Sequence, residues 1–374
     1  MRISTGLWAA VAGLPLVMLC PALLGQAPQI APVHGDPLEL AAGPIQAPES
    51  IGARNAALQL LARARSSYAI RGNQGYDLKV SFTVDSGGET EFDGAWQMEE
   101  MYVPGQGVRW TAQSSSGFST VQIRAGKVAW AEGTSLLIPL RLHEARAALF
   151  GPIASAQFAA QDRIRTSSAV YNGVPVTCVL LSGRSSPAQA ASGRGWQESE
   201  ECIDPHSGLL QIHSLAPGSY EAYDYSNAVF LGDRELPGKV TVREGGRVVM
   251  QLQVQSLMAL PSADPALFAP SEQMKANPGA VLLGEARRVT IFPNSDSAAA
   301  GSTIHPVCVF GVISPGGQLA EAHSLQPADP NSAAAIRAAE QMNLQAPVLA
   351  GAQPAQHFGF IIVNFAAASS ATNR

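Results

Sequence analysis

The sequence is poor in charge. Only 14% of its 374 residues are Asp, Glu, Lys or Arg, and 24 basic against 29 acidic residues leave a net charge of −5. No run of basic residues occurs anywhere, so nucleic acid has no electrostatic footprint to bind. A strongly acidic substrate is disfavoured on the same ground. Aromatic residues are scarce as well, at 6%. The Gly-x-Ser-x-Gly elbow, the Walker loop and the His-Glu-x-x-His zinc motif are all missing. No catalytic residue is therefore assigned, no cofactor is expected, and the chain reads as a protein without enzymatic activity. Cysteine is rare, with 4 in all, whereas Gly and Pro number 35 and 26. That balance is typical of an exported, loop-rich protein. The length allows two domains and a sizeable core.

The N-terminus reads as a targeting segment. Arg2 supplies a positive start, residues 6–25 are uncharged and mostly apolar, and Gly25-Gln26-Ala27 offers small residues at the cleavage-defining positions. A removed signal peptide over residues 1–27 is expected, with a retained membrane anchor as the alternative, since the apolar run is about long enough to span a bilayer. Either way the protein belongs to the periplasm or cell envelope. Cys20 is not read as a lipidation site, because Val17-Met18-Leu19 lacks the small residue that a lipidated cysteine needs beside it. Residues 28–50 are rich in Pro and Ala without periodicity, and read as a linker.

Cys178, Cys202 and Cys308 remain. In an exported chain an even pair reads as a disulfide. Cys178 lies in the strand Val174–Leu181 and Cys202 ends a polar strand after a flexible loop, so the two are expected to face each other across an antiparallel hairpin. Such a bridge is worth on the order of 3 kcal/mol. Cys308, in an apolar strand, reads as a buried thiol acting as a small hydrophobe.

Apolar residues at helical spacing (Ala57, Leu58, Leu60, Leu61, Ala64) predict a helix over Asn55–Tyr68, stopped by Gly72. Strict alternation over Asp77–Val84 predicts a strand with Leu78, Val80, Phe82 and Val84 on one face. Strands recur at hairpin spacing to Ala131, and an apolar helical stretch covers Leu136–Phe150. A second β series runs from Tyr171 to Ala259, broken by the turn Asp204-Pro205-His206-Ser207-Gly208. About ten strands and two helices are expected in this body. No long helices alternate with the strands, so the sheet is expected to be antiparallel. Residues 271–302 read as a linker holding a short strand, Glu285–Phe292. Val307–Ile313, a second short segment, an Ala-rich helix over Asn331–Met342 and the strand Phe358–Phe365 then form a self-contained β-β-α-β unit, with 367–374 as a tail. The fold class is α+β.

Seven histidines are scattered. Cys178, Cys202, His206 and His213 are the nearest approach to a zinc set. Their spacing is not a metal pattern and a disulfide would consume both thiols, so no metal is assigned. The same histidines with a carboxylate would be needed for any hydrolase without a known motif. The acidic pairs Glu99-Glu100 and Glu200-Glu201 put neighbouring side chains on opposite faces of a strand, and read as a solvated surface.

The order of parts over residues 51–270 ends in Cys202-Ile203-Asp204-Pro205-His206-Ser207-Gly208-Leu209-Leu210, Tyr223-Asp224-Tyr225-Ser226-Asn227 and Asp264-Pro265-Ala266-Leu267-Phe268. This layout resembles the LolA/LppX-like periplasmic lipoprotein carriers. The resemblance implies a curved antiparallel half-barrel around packed helices, with a cavity able to hold a hydrophobic ligand. Residues 303–366 resemble the TonB C-terminal domain. Gly311-Val312-Ile313-Ser314-Pro315-Gly316-Gly317-Gln318-Leu319 matches its strand-turn-strand, Ala334–Leu344 its helix, Gly351-Ala352-Gln353-Pro354 its loop and Ile361–Phe365 its last strand. That resemblance implies docking to an outer-membrane or other envelope protein by β-strand addition, through the strand carrying Phe358, Phe360, Ile362 and Phe365. The expectation is a non-enzymatic envelope protein that couples or binds in outer-membrane transport. The alternative is a carrier of a hydrophobic ligand or lipoprotein, with the C-terminal unit purely structural.

Overall fold

A computed structural model describes residues 50–72, 74–86, 92–126, 128–134, 139–151, 153, 163–182, 194, 198–276, 287–291, 293, 306–344 and 357–365. The leader, the first linker, most of the Gly/Ser loop after Ser182, the Gly351–Pro354 loop and the tail lie outside these residues. Among the described residues no helix is long and apolar enough to cross a membrane.

Helix α1 (Ile51–Ser67) begins at Ser50, whose hydroxyl accepts from Ala53 N at 3.1 Å. Ala57, Leu61 and Ala64, spaced one turn apart, are its buried face. Five strands follow as a meander: β1 (Tyr76–Val84), β2 (Gly94–Val103), β3 (Gly107–Ser114), β4 (Ser119–Ala125) and β5 (Val128–Gly133). Helix α2 (Leu140–Phe150) leads to a second meander of β6 (Arg163–Tyr171), β7 (Val174–Ser182), β8 (Ser199–Ile203), β9 (Leu210–Ala216) and β10 (Ser219–Asp224). A small ribbon, β11 (Val229–Leu231) with β12 (Arg234–Leu236), precedes β13 (Lys239–Glu244) and the long β14 (Arg247–Ala259). A short 3-10 turn at Pro265–Phe268 and α3 (Glu272–Ala276) end this part.

Twelve of these strands form one open antiparallel sheet, ordered β5-β4-β3-β2-β1-β14-β13-β10-β9-β8-β7-β6. The first and last strands of the body, β1 and β14, pair at its centre and weld the two meanders. The two outermost strands, β5 and β6, are consecutive in the chain and joined through α2. The sheet is curved and not closed, and α2 packs against its concave face. The strand and helix expectations from periodicity hold for α1, β1 and α2. The described body has fourteen strands rather than about ten: β6 lies ahead of the expected start at Tyr171, and the expected strand Glu221–Leu231 divides into β10 and β11, followed by the short β12.

The concave face is a continuous core. Tyr76, Leu78, Val80, Phe82, Trp96, Trp110 and Leu252 from the sheet pack against Leu61 of α1 and Leu142, Ala145 and Leu149 of α2. Trp96 stacks on Phe82 at 5.7 Å and meets Phe118 at 5.5 Å. In this stretch the half-barrel is filled by its own side chains.

The C-terminal sheet is ordered β15-β18-β16-β17, from β15 (Arg287–Ile291), β16 (Val307–Ile313), β17 (Leu319–Ser324) and β18 (His357–Val363), with α4 (Ser332–Glu340) after β17. Three expectations change here. The short strand assigned to a linker is β15, which pairs in parallel with β18 and belongs to this sheet. β18 lies between β15 and β16, so its backbone is occupied on both sides and offers no edge for strand addition. The unit is also not self-contained. Val307, Val309, Ile313, Ile361, Val363 and Phe365 pack with α4 on one face. Cys308, Phe310, Phe360 and Ile362, with Phe358, pack on the other against Leu215 and Ala216 of the body. Every residue of β16 is buried, as expected of a strand covered on both faces.

Candidate functional site

Helix α2 links the two most distinctive places in the molecule. Its first turn touches the C-terminal sheet, and its last turn borders a cavity.

At that last turn, Glu100 of β2 points into the concave side and is fully buried. Three groups converge on it. Arg71 donates from Nε (3.0 Å) and Nη2 (2.5 Å) to Oε1, where Tyr76 Oη also donates at 2.6 Å. Arg146 of α2 donates from Nε (2.9 Å) and Nη2 (2.6 Å) to Oε2. Burial alone would raise the pKa of Glu100, but Arg146 and Arg71 hold it below the usual carboxylate range. Burial, reinforced by the same carboxylate, pushes the Tyr76 phenol up. Phe150 lies beneath both guanidiniums, with its ring centroid 4.7 Å from Arg71 and 5.9 Å from Arg146, and Trp110 takes Arg146 at 4.9 Å. Beside this cluster opens a cavity of about 350 Å³, walled by Arg65, Tyr68, Ile70, Arg71, Phe150 and Ile153. Arg65 is exposed at the rim, while Tyr68, Ile70 and Ile153 are buried. The cavity joins apolar walls to a cationic side, the general make-up of a small-ligand site.

Deeper inside, Glu201, His213 and Glu221 stand side by side on β8, β9 and β10, aligned by the pairings Glu201↔His213 and Glu221↔His213. His213 Nδ1 is 2.8 Å from Glu201 Oε2. Burial works against a charged imidazole, yet the Glu201 carboxylate outweighs it and lifts His213 to about 9. Tyr223 donates to Glu221, and the Tyr68 and Tyr225 hydroxyls are bonded to each other. The ring of Tyr68 meets Tyr223 edge-on at 5.7 Å. Glu201, His213 and Glu221 are spent on internal pairing and do not line the cavity.

At the other end of α2, Arg141 is buried and grips Glu244 of β13 with two bonds, Nη1–Oε1 at 2.6 Å and Nη2–Oε2 at 3.0 Å. Nη1 also reaches Glu144 Oε2 at 2.8 Å. His323 Nε2 of β17 lies 2.8 Å from Glu244 Oε2, and the Arg141 guanidinium sits 5.3 Å from the rings of both Phe310 and Phe358. Burial opposes the Glu244 charge, but Arg141 outweighs it and holds Glu244 below the usual carboxylate range; Glu144, more dominated by burial, is pushed up.

Cys178 and Cys202, the expected pair, are directly cross-strand partners and form the disulfide, with Cα atoms 3.8 Å apart. The zinc set considered from the sequence is dispersed: both thiols are in the bridge, His206 is exposed in its turn, and His213 is engaged by Glu201. Phe358, Phe360 and Ile362 lie on the face covered by the body, and Phe365 on the α4 side. Glu100, Glu200 and Glu201 are not solvated but buried, at 0%, 8% and 3% exposure. Basic partners make this possible: Arg71 and Arg146 for Glu100, Arg194 for Glu200 at 2.9 Å, and His213 for Glu201. Neither arginine of Glu100 is near it in sequence, so no local pattern could reveal the cluster. The period-two placement of Glu100 on the same face as Trp96 and Met98 is the one available sign.

No protein family matches this chain, and no curated protein does. Solved structures with a similar course include a domain described as an outer membrane lipoprotein-sorting protein from Vibrio parahaemolyticus, at 11% identity over 57% of this chain and 97% of that one, with a TM-score of 0.34. A DUF1329 family protein from Desulfovibrio piger matches at 9% identity over 57% and 96%, with a TM-score of 0.36. The MucA/MucB complex from Pseudomonas aeruginosa matches at 14% over 61% and 63%, with a TM-score of 0.26. None of the three is a TonB C-terminal domain.

Proposed function

We propose that the protein is a non-catalytic binding protein of the cell envelope, which takes a small amphiphile at the mouth of its half-barrel. The observation that carries this reading is the cavity of about 350 Å³ beside Phe150 and Arg71. Its walls supply apolar contact from Tyr68, Ile70, Phe150 and Ile153, and its rim supplies charge. The filled core between α1, α2 and the sheet confines a ligand to this mouth rather than the whole half-barrel. Export is supported by the Arg2 leader pattern and by a disulfide that persists in an oxidising compartment. A role without catalysis fits Glu100, Glu244, Glu201 and His213, each held in an internal pair.

The test is to purify the chain from the periplasm of an expressing bacterium and identify co-purifying molecules by solvent extraction and mass spectrometry. A dansyl-labelled medium-chain amphiphile should then bind with a blue-shifted emission. Phe150→Ala should weaken that binding several-fold. A protein that carries no small molecule and leaves the probe's emission unchanged would overturn the reading.

A further inference from the structure

Two guanidiniums share one carboxylate at the cavity. Arg71 and Arg146 both bond to Glu100, each on its own oxygen, and Arg71 Nε also donates to Tyr76 Oη at 3.2 Å. The cluster therefore holds one positive charge more than it neutralises. Among the described residues no second carboxylate bonds to either arginine. Arg146 is the more enclosed of the pair, with its side chain 25% exposed, while Arg71 is 37% exposed and forms part of the cavity wall. Arg65, in the last turn of α1, adds a further cation at the rim. A low-dielectric wall formed by Phe150, Ile70 and Ile153 sharpens the effect of that excess.

The C-terminal end of α1 also borders the cavity, and its partial negative charge would oppose an anion. It is largely covered. Ser66 Oγ donates to Arg63 O at 2.7 Å, Ser67 Oγ to Ala64 O at 2.6 Å, and Arg234 Nη1 to Ser66 O at 2.6 Å. These carbonyls, which would repel an anion, are already satisfied.

We infer that the mouth recognises a single anionic group, a carboxylate or phosphate, at the head of the amphiphile, through the guanidinium excess of Arg71 and Arg146. This rests on the amphiphile reading above. The head meets the outer side of Arg71 through charge-assisted bonds, and the chain lies along Tyr68, Ile70 and Phe150. The protein as a whole is acidic, so the selectivity is local and comes from residues that only folding brings together.

The experiment compares chain-matched probes by calorimetric titration at low salt, below their micelle concentrations. These are dodecanoate, dodecyl phosphate, a neutral dodecyl glycoside and dodecyltrimethylammonium, with inorganic phosphate alone as a fifth. The two anions should bind about tenfold or more tightly than the neutral probe, and the preference should shrink as salt rises. Arg65→Gln, at an exposed position, should reduce it several-fold. Arg71→Gln should abolish it. Glu100→Gln raises the local excess and should strengthen anion binding, an outcome that a purely structural role for Glu100 would not produce. Equal binding of all four amphiphiles overturns the anion subsite and leaves the amphiphile reading standing. Phosphate alone binding as tightly as dodecyl phosphate keeps the subsite and overturns the amphiphile. No binding by any probe overturns both.

Discussion

At the residue scale, buried charge is what separates this protein from a plain apolar half-barrel. Arg141, Glu244 and Glu144 form an enclosed group in which one cation serves two acids. Removing one member strands the others out of water, and breaking a buried pair in that way costs about 3–5 kcal/mol. Glu244→Ala should therefore lower the urea midpoint substantially. The double change Arg141→Leu with Glu244→Leu should cost much less, because the strongest charge pair then leaves together. Equal losses for the single and double variants would refute the argument. His213 gives a second prediction, with a pH sign. Its pKa rises from an ordinary 6.5 to about 9 in the fold, against burial and through Glu201. A raised basic group contributes stability that is complete below the unfolded value and is lost as pH climbs through the folded one. Between pH 6.5 and 9 the native chain should lose stability that His213→Gln does not lose. Parallel stability curves for the two proteins across that window would show that the pair contributes nothing.

At the element scale, the hairpin of β7 and β8 depends on its bridge. Cys178 and Cys202 lie 24 residues apart, and the intervening loop gives the unfolded chain much freedom. Replacing both by Ala should cost on the order of 3 kcal/mol, read as a lower melting temperature that reducing agent no longer changes. A variant that melts with the oxidised protein would discount the bridge. Much of this scale is legible in the sequence. The period-two pattern of Leu78, Val80, Phe82 and Val84 places β1, and the one-turn spacing of Ala57, Leu61 and Ala64 places α1. Pairings escape such reading, because register and neighbours depend on residues far apart. β15 is short and polar at its start, and nothing local says that it joins β18 in parallel. β18 misleads in the opposite direction. Its apolar run Phe358–Val363 suggests a strand with an edge to offer, whereas an unbroken apolar run signals burial on both faces, as β16 also shows. The cavity cluster is illegible for a related reason: Arg71, Glu100 and Arg146 meet only once the sheet curves back under α2.

At the scale of the whole molecule, the question is whether the two sheets behave as one. Phe310, Phe360 and Ile362 are buried at their contact, together with Ala216, and His323 reaches across to Glu244. An apolar face of that kind would be exposed by undocking, and its burial couples the stability of the two parts. Heating should then give one cooperative calorimetric transition rather than two. Cys308 supplies a sharper probe. It lies outside the disulfide, fully buried in the same contact. If the C-terminal sheet leaves only when the body unfolds, the rate at which a thiol reagent modifies Cys308 in native buffer should track global stability. A substitution in the body far from the contact, Leu61→Ala, removes a fully buried side chain and should cost about 2–5 kcal/mol. It should accelerate Cys308 labelling by the factor that its measured loss of stability dictates. Labelling that is already fast in the unaltered chain, and indifferent to Leu61→Ala, would mean that the C-terminal sheet opens by itself while the body stays folded.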